Sequence, residues 1–98
     1  MEQFIIKYNP KYQAAAAANV VIKNKPGFLK GIIVGADVGS AVIEVSDHAS
    51  DGDGNIVVYI AGSTLSTISG GYIPINLYFK TGICADQTNQ TYCTYLYK

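Results

Sequence analysis

An alternation of apolar and polar residues with a period of two constrains this chain more than anything else in it. Ala41, Ile43 and Val45 alternate with Val42, Glu44 and Ser46. Ile56, Val58 and Ile60 repeat the pattern, and Ile73, Ile75, Leu77 and Phe79 give its cleanest version. Successive side chains of a strand point to opposite faces, so each run writes one buried stripe of a β-sheet. No apolar repeat of 3.6-residue period reaches helical length. The pattern predicts strands over 20–23, 28–34, 40–46, 55–61, 72–80, 83–85 and 91–97, read as a meander. Lys25-Pro26-Gly27 is the first turn, with Pro presetting φ and Gly supplying a positive φ. Gly31, inside a strand, marks a bulge or the close approach of other atoms. The expectation is an all-β fold, a small antiparallel β-sandwich of jelly-roll or immunoglobulin-like type with seven or eight strands.

Residues 19–98 carry that sandwich and residues 1–18 differ from it. Phe4, Ile5, Ile6 and Tyr8 suit a short strand, but Asn9-Pro10 interrupts it. Ala14 to Ala18 favours helix yet is too short to nucleate one alone. The segment reads as an N-terminal arm or an edge segment, ordered by a neighbouring subunit or packed on its own domain.

Ninety-eight residues make one domain with a thin core, a size at which oligomerisation commonly adds buried area. Seven lysines balance seven acids, and there is no arginine. A nucleic-acid binder needs a basic stripe, usually with arginine for phosphate and guanine, so that class is not expected. Charged residues are 14% of the chain against 49% hydrophobic, so little repulsion keeps copies apart. The opening residues lack a signal peptide's basic, apolar and small-residue regions, and no apolar run is long enough to span a bilayer. Cytoplasmic synthesis is the expectation, with no membrane partner and no cofactor.

Few residues suggest chemistry. Asp51, Asp53 and Asn55 alternate as oxygen ligands do in calcium loops, with Asp47 as a further oxygen. Ile56 stands where that signature needs glycine and Gly62 where it needs glutamate, so an ordinary polar loop is the preferred reading. His48 is the only histidine and has no partner at a telling spacing, which leaves no catalytic residue to assign. A hydrolase using His48 with Asp47 or Asp51 is the least favoured function. If 84–93 is a regular hairpin, Cys84 and Cys93 face each other at a distance long for a disulfide, and two buried, reduced thiols are favoured. Eight tyrosines point to an interface, to plain strand propensity or to sugar stacking, in that order.

The run Lys25-Pro26-Gly27-Phe28-Leu29-Lys30-Gly31-Ile32-Ile33-Val34 resembles a recurrent opening in small structural proteins of tailed bacteriophages. Blocks similar to that group follow in order at Ala41 to Asp47, Ile56 to Ile60, Leu77 to Ile83 and Thr91 to Tyr97. The likeness covers about 19–97. It departs from the group in its two strand cysteines and in a longer, more acidic loop after Asp47. What the resemblance implies is a non-enzymatic virion component, a capsid decoration or cement protein that stabilises the head in multiple copies. The implied partners are the major capsid protein or other virion proteins, with self-association into a homo-oligomer, a trimer favoured. On that reading Phe4, Ile5, Tyr8, Tyr92, Tyr95 and Tyr97 are the expected interface residues. The alternative is a carbohydrate- or receptor-binding module on a virion tail or fibre, or on a cell surface.

Overall fold

A computed structural model describes residues 7–13, 17–36, 42–61, 71–88 and 92–98. These residues contain eight strands: β1 (Asn9–Gln13), β2 (Ala17–Lys23), β3 (Gly27–Ala36), β4 (Val42–Asp47), β5 (Ile56–Ile60), β6 (Tyr72–Phe79), β7 (Ile83–Thr88) and β8 (Tyr92–Tyr97). They form two antiparallel four-stranded sheets, one ordered β1-β8-β3-β6 and the other β2-β7-β4-β5. The all-β sandwich expected from the alternation is therefore present, and its strand order is that of a jelly roll. The meander is not. Only β4 and β5 are neighbours both in sequence and in a sheet. Alternation fixes which side chains face a core, but pairing is decided by which stripes fit together across the whole chain.

The two sheets meet through their inward phases. Leu29, Ile32, Val34, Phe79, Cys93 and Tyr95 of the first pack on Val20, Ile22, Ile43, Val45, Ile60, Ile83 and Ala85 of the second. Each large side chain enclosed this way is worth roughly 1.5–3 kcal/mol relative to exposure. A polar contact crosses the core: Tyr95 Oη donates to Gln87 Oε1 at 2.6 Å. A buried hydroxyl and amide remain stable there because each supplies the other's hydrogen bond.

The remaining differences from the sequence reading are local. β7 continues to Thr88, three residues past the expected end, and lies in the opposite sheet from β8. The 84–93 hairpin is thus corrected, because Ile83, Ala85 and Gln87 fill the core from one sheet while Cys93 and Tyr95 fill it from the other. Both cysteines are buried, and neither belongs to a disulfide. Part of the alanine run becomes strand, since β2 starts at Ala17 and pairs with Gln87. Pairing with β7 there outweighs alanine's helical preference. Gly27 is the first residue of β3 and serves close approach rather than a positive φ. A Cβ there would lie 2.9 Å from the Lys98 carbonyl oxygen and 2.6 Å from Lys23 Cδ. The cleanest alternation belongs to an edge strand: Phe79 is buried, Ile73 and Ile75 are half-buried, and Leu77 is exposed beyond Asn76, which has a positive φ of 55°.

Candidate interaction surface

The outer face of the β1-β8-β3-β6 sheet is built by the residues that alternate with its core stripe. Strand register aligns Tyr12 with Thr94, Thr94 with Ile33, and Ile33 with Tyr72, giving one row across all four strands. Pro10, Leu96, Gly31 and Pro74 form the next row. Tyr12 is 60% exposed, Ile33 41% and Tyr72 43%. None of these eight residues is charged. Gly31 makes the face smoother than its register alone would: the Tyr72 ring lies over it, occupying the space a Cβ would take. Tyr72 Oη then donates to the Lys30 carbonyl at 3.2 Å. Gly31 is therefore both a bulge, where the β3 register shifts between Leu29 and Gly31, and a seat for an aromatic ring. Gaps of this type in a sheet are commonly covered by a neighbouring aromatic.

Below these rows the face turns into a cleft with cations around it. Phe28 sits opposite Tyr78, which is 66% exposed. The Tyr8 ring packs on Phe28 with centroids 6.4 Å apart, and Lys30 Nζ stands 6.0 Å from the Tyr8 centroid. Tyr8, Phe28 and Tyr78 line the cleft together with Lys23, Pro26, Gly27 and Lys98, and it encloses about 520 Å³. Its floor is fixed by two backbone bonds, Phe28 N to Lys98 O and Lys98 N to Phe28 O, both 2.9 Å. Pockets that combine aromatic walls with a few polar groups are the usual form of a binding site.

The other outer face is covered instead by the 47–55 loop. Ser46, opposite Cys84 in the β4–β7 ladder, donates its hydroxyl to the Gly52 carbonyl at 2.6 Å. Gly52 N donates to Asn19 Oδ1 at 2.9 Å, and Asn19 N to Asp86 Oδ1 at 2.7 Å. Asn19 adopts a positive φ of 54° to do so, a conformation asparagine tolerates. Cys84 is enclosed on this outer side, and burial, with the charges of Asp86 and Asp51, raises its thiol above the usual range.

The candidate metal ligands make hydrogen bonds within this loop and to its supports. Burial works to raise the Asp47 carboxyl, but the N–H groups of Thr81, Lys80 and Gly82 and the Lys80 charge together hold it below its ordinary value. Those three N–H groups lie 2.7 to 3.3 Å from its oxygens. Asp51 Oδ1 accepts from Asp53 N at 3.1 Å. A hydrogen bond between the Asp51 and Asp53 carboxyls holds Asp51 below its ordinary value and Asp53 above it. Asn55 contributes its backbone carbonyl, accepting from Asp47 N at 2.9 Å. His48 Nδ1 accepts from Ser50 N and Asp51 N at 3.1 and 3.0 Å, which makes it a turn-closing acceptor. Among the described residues no three His, Cys, Asp or Glu side chains converge on a point that could hold a metal.

The six expected interface residues separate. Phe4 and Ile5 lie outside the described residues. Tyr8 and Tyr92 reach the surface, Tyr8 in the cleft and Tyr92 exposed at the start of β8. Tyr97 is half-buried and packs on the core. Tyr95 is corrected to a core residue: it is fully enclosed, and its phenol is pushed well up, by burial first and then by Cys93 and Asp86. Sequence reading missed Tyr12, Ile33, Tyr72 and Tyr78. Their signal is visible in β6, whose outward phase reads Tyr72, Pro74, Asn76, Tyr78, with no charge where a solvated face would carry one. The chain matches no known protein-family model, no curated protein and no solved structure. Among the described residues no helix is long and apolar enough to cross a membrane.

Proposed function

We propose that this chain is a non-enzymatic structural protein that assembles by burying the outer face of the β1-β8-β3-β6 sheet. The observation that carries this reading is the uncharged row Tyr12, Thr94, Ile33 and Tyr72, continued by Tyr78 and the cleft beneath it. Tyrosine offers a large apolar area and a hydroxyl at little entropic cost, which suits permanent contacts between subunits. Exposed apolar patches of this kind mark interaction sites in soluble proteins. The resemblance to small tailed-phage structural proteins supplies the setting: a decoration or cement protein bound in multiple copies to a head shell. Jelly rolls are common in viral capsid and lectin domains, which agrees with that setting by analogy of fold alone.

The test uses gradient-purified phage particles that encode the chain. Mass spectrometry is expected to find it in the particles, and Tyr12→Asp with Tyr78→Asp to remove it while circular dichroism still reports the sheets. Absence of the wild-type chain from the particles contradicts the reading. A saccharide-binding module is the second reading, favoured by the same exposed rings. A glycan array that retains the wild-type chain and loses the Tyr12→Ala, Tyr78→Ala variant would replace the first reading with it.

A further inference from the structure

Zero net charge conceals a separation of sign between the two sides of the sandwich. Glu2 and Asp37 lie outside the described residues, and Asp47 is bonded to the 80–82 corner. The four remaining acids, Glu44, Asp51, Asp53 and Asp86, stand on the outer side of the β2-β7-β4-β5 sheet. Register puts Glu44 directly opposite Asp86, and the loop carries Gly52, with Asp51 and Asp53 on either side, against Asp86. Like charges directly opposite each other in a ladder destabilise a sheet. Five of the seven lysines gather elsewhere, Lys80 standing beside Asp47 and Lys11 lying in β1. Lys23 and Lys98 line the aromatic cleft, Lys30 stands beside Tyr8, Lys7 adjoins Tyr8 in the chain, and exposed Lys25 occupies the turn above it. Among the described residues no carboxylate side chain lines that cleft.

We propose that the aromatic, lysine-edged face of one copy docks on the acidic loop-covered face of a second copy, joining subunits head to tail. This deepens the assembly reading and rests on it. Charge complementarity selects the occupant. A symmetric pairing of two aromatic faces would bring lysine against lysine, whereas the head-to-tail pairing sets lysines against Glu44, Asp51, Asp53 and Asp86. Exposed apolar groups on the acidic side, Val21, Ile56 and Tyr59, give the rings something to cover. The Cα extents of 46 × 30 × 18 Å leave a broad face wide enough for the roughly 800 Å² per partner of a standard interface. A head-to-tail contact does not end at two copies: it closes into a ring or continues as a filament.

The experiment is sedimentation velocity on the purified chain up to about 1 mM, at about 20 mM and about 500 mM NaCl, where screening lengths differ several-fold. Species larger than a dimer are expected at low salt, dissociating at high salt. Lys25→Glu with Lys30→Glu, and separately Glu44→Lys with Asp53→Lys, should each weaken association about tenfold or more, as reversed charges across an interface do. All four substitutions in one chain should restore it, because the faces are again opposite in sign. Loss with the lysine pair but none with the acidic pair would overturn the inference in favour of a symmetric contact. A monomer at every concentration and salt would also overturn it. If the variants do not fold, the salt dependence of the wild-type chain decides the matter. Failure here is distinct from failure of the assembly reading, which is judged by presence of the chain in particles.

Discussion

The two outer faces of this sandwich share a core but present opposite kinds of surface. On one side the sheet is bare, and its outward phase carries tyrosine, isoleucine and proline. On the other, nine residues fold back over the ladder and tie themselves down through Ser46, Asn19 and Asp86. The difference teaches where function resides. A protein that covers part of one face with its own loop has enclosed Cys84 there and left carboxylates around it. The uncovered face is the one that presents an uncharged aromatic row to solvent.

The largest expected effect breaks both faces together. Tyr95→Ala removes a fully enclosed ring and the bond to Gln87, and should cost about 3–5 kcal/mol in urea unfolding. A loss below about 1 kcal/mol would mean that the sheets are not held by this contact. Next comes Gly31→Val, which drives the Tyr72 ring off the bare face. It should cost about 1–3 kcal/mol, the usual penalty of overpacking, and should weaken assembly as well. Tyr12→Ser on the same face is the complementary probe. It should change stability by no more than about 0.5 kcal/mol, since that ring is mostly exposed, while still reducing assembly.

Two smaller effects sharpen the covered side. Ser46→Ala leaves the Gly52 carbonyl without its donor, at a cost of about 1–2 kcal/mol, and should speed iodoacetamide labelling of Cys84. In the wild-type chain that labelling should be slow at neutral pH, because burial and the neighbouring carboxylates favour the neutral thiol. Equal labelling rates in the two proteins would mean that the loop does not shield the sulfur. Asp47→Asn weakens three N–H bonds at a partly exposed site and should cost about 1 kcal/mol or less. The Asp47 carboxyl is held below its ordinary value in the folded chain. Its contribution is therefore full above the unfolded carboxylate range and disappears as pH falls through the lower folded value. A gap between wild type and variant that widened in acid would contradict this.

How far the sequence disclosed these features follows the range of the forces involved. The inward stripes of β3 and β4 were legible because a buried face forces strict alternation, as Ile43 and Val45 show. β6 displays the same alternation most clearly, yet its place at a sheet edge leaves Leu77 exposed. Pattern records which side is apolar, not how much of it a neighbour covers. The separation of Cys84 from Cys93 was illegible, because strand pairing across the core is a long-range choice that local turn residues do not encode. The aromatic face was half visible. Clustering of tyrosines near the C-terminal end suggested an interface, but Tyr95 and Tyr92 differ by three positions and thus by the side of the strand. Only register assigns the first to the core and the second to the surface. Tyr12 lies in a segment read as an arm or an edge segment, and in the fold its strand β1 is the sheet edge, paired with β8 along Asn9 to Gln13.

Hydroxyl-radical footprinting read by mass spectrometry tests the central claim most directly, with the chain compared free and bound in its assembly. Tyr12, Tyr72 and Tyr78 are expected to react in the free chain and to be protected in the assembly, while Tyr95 stays unreactive in both. Unchanged reactivity of those three tyrosines in the assembly would contradict the assignment of the bare face as the contact surface.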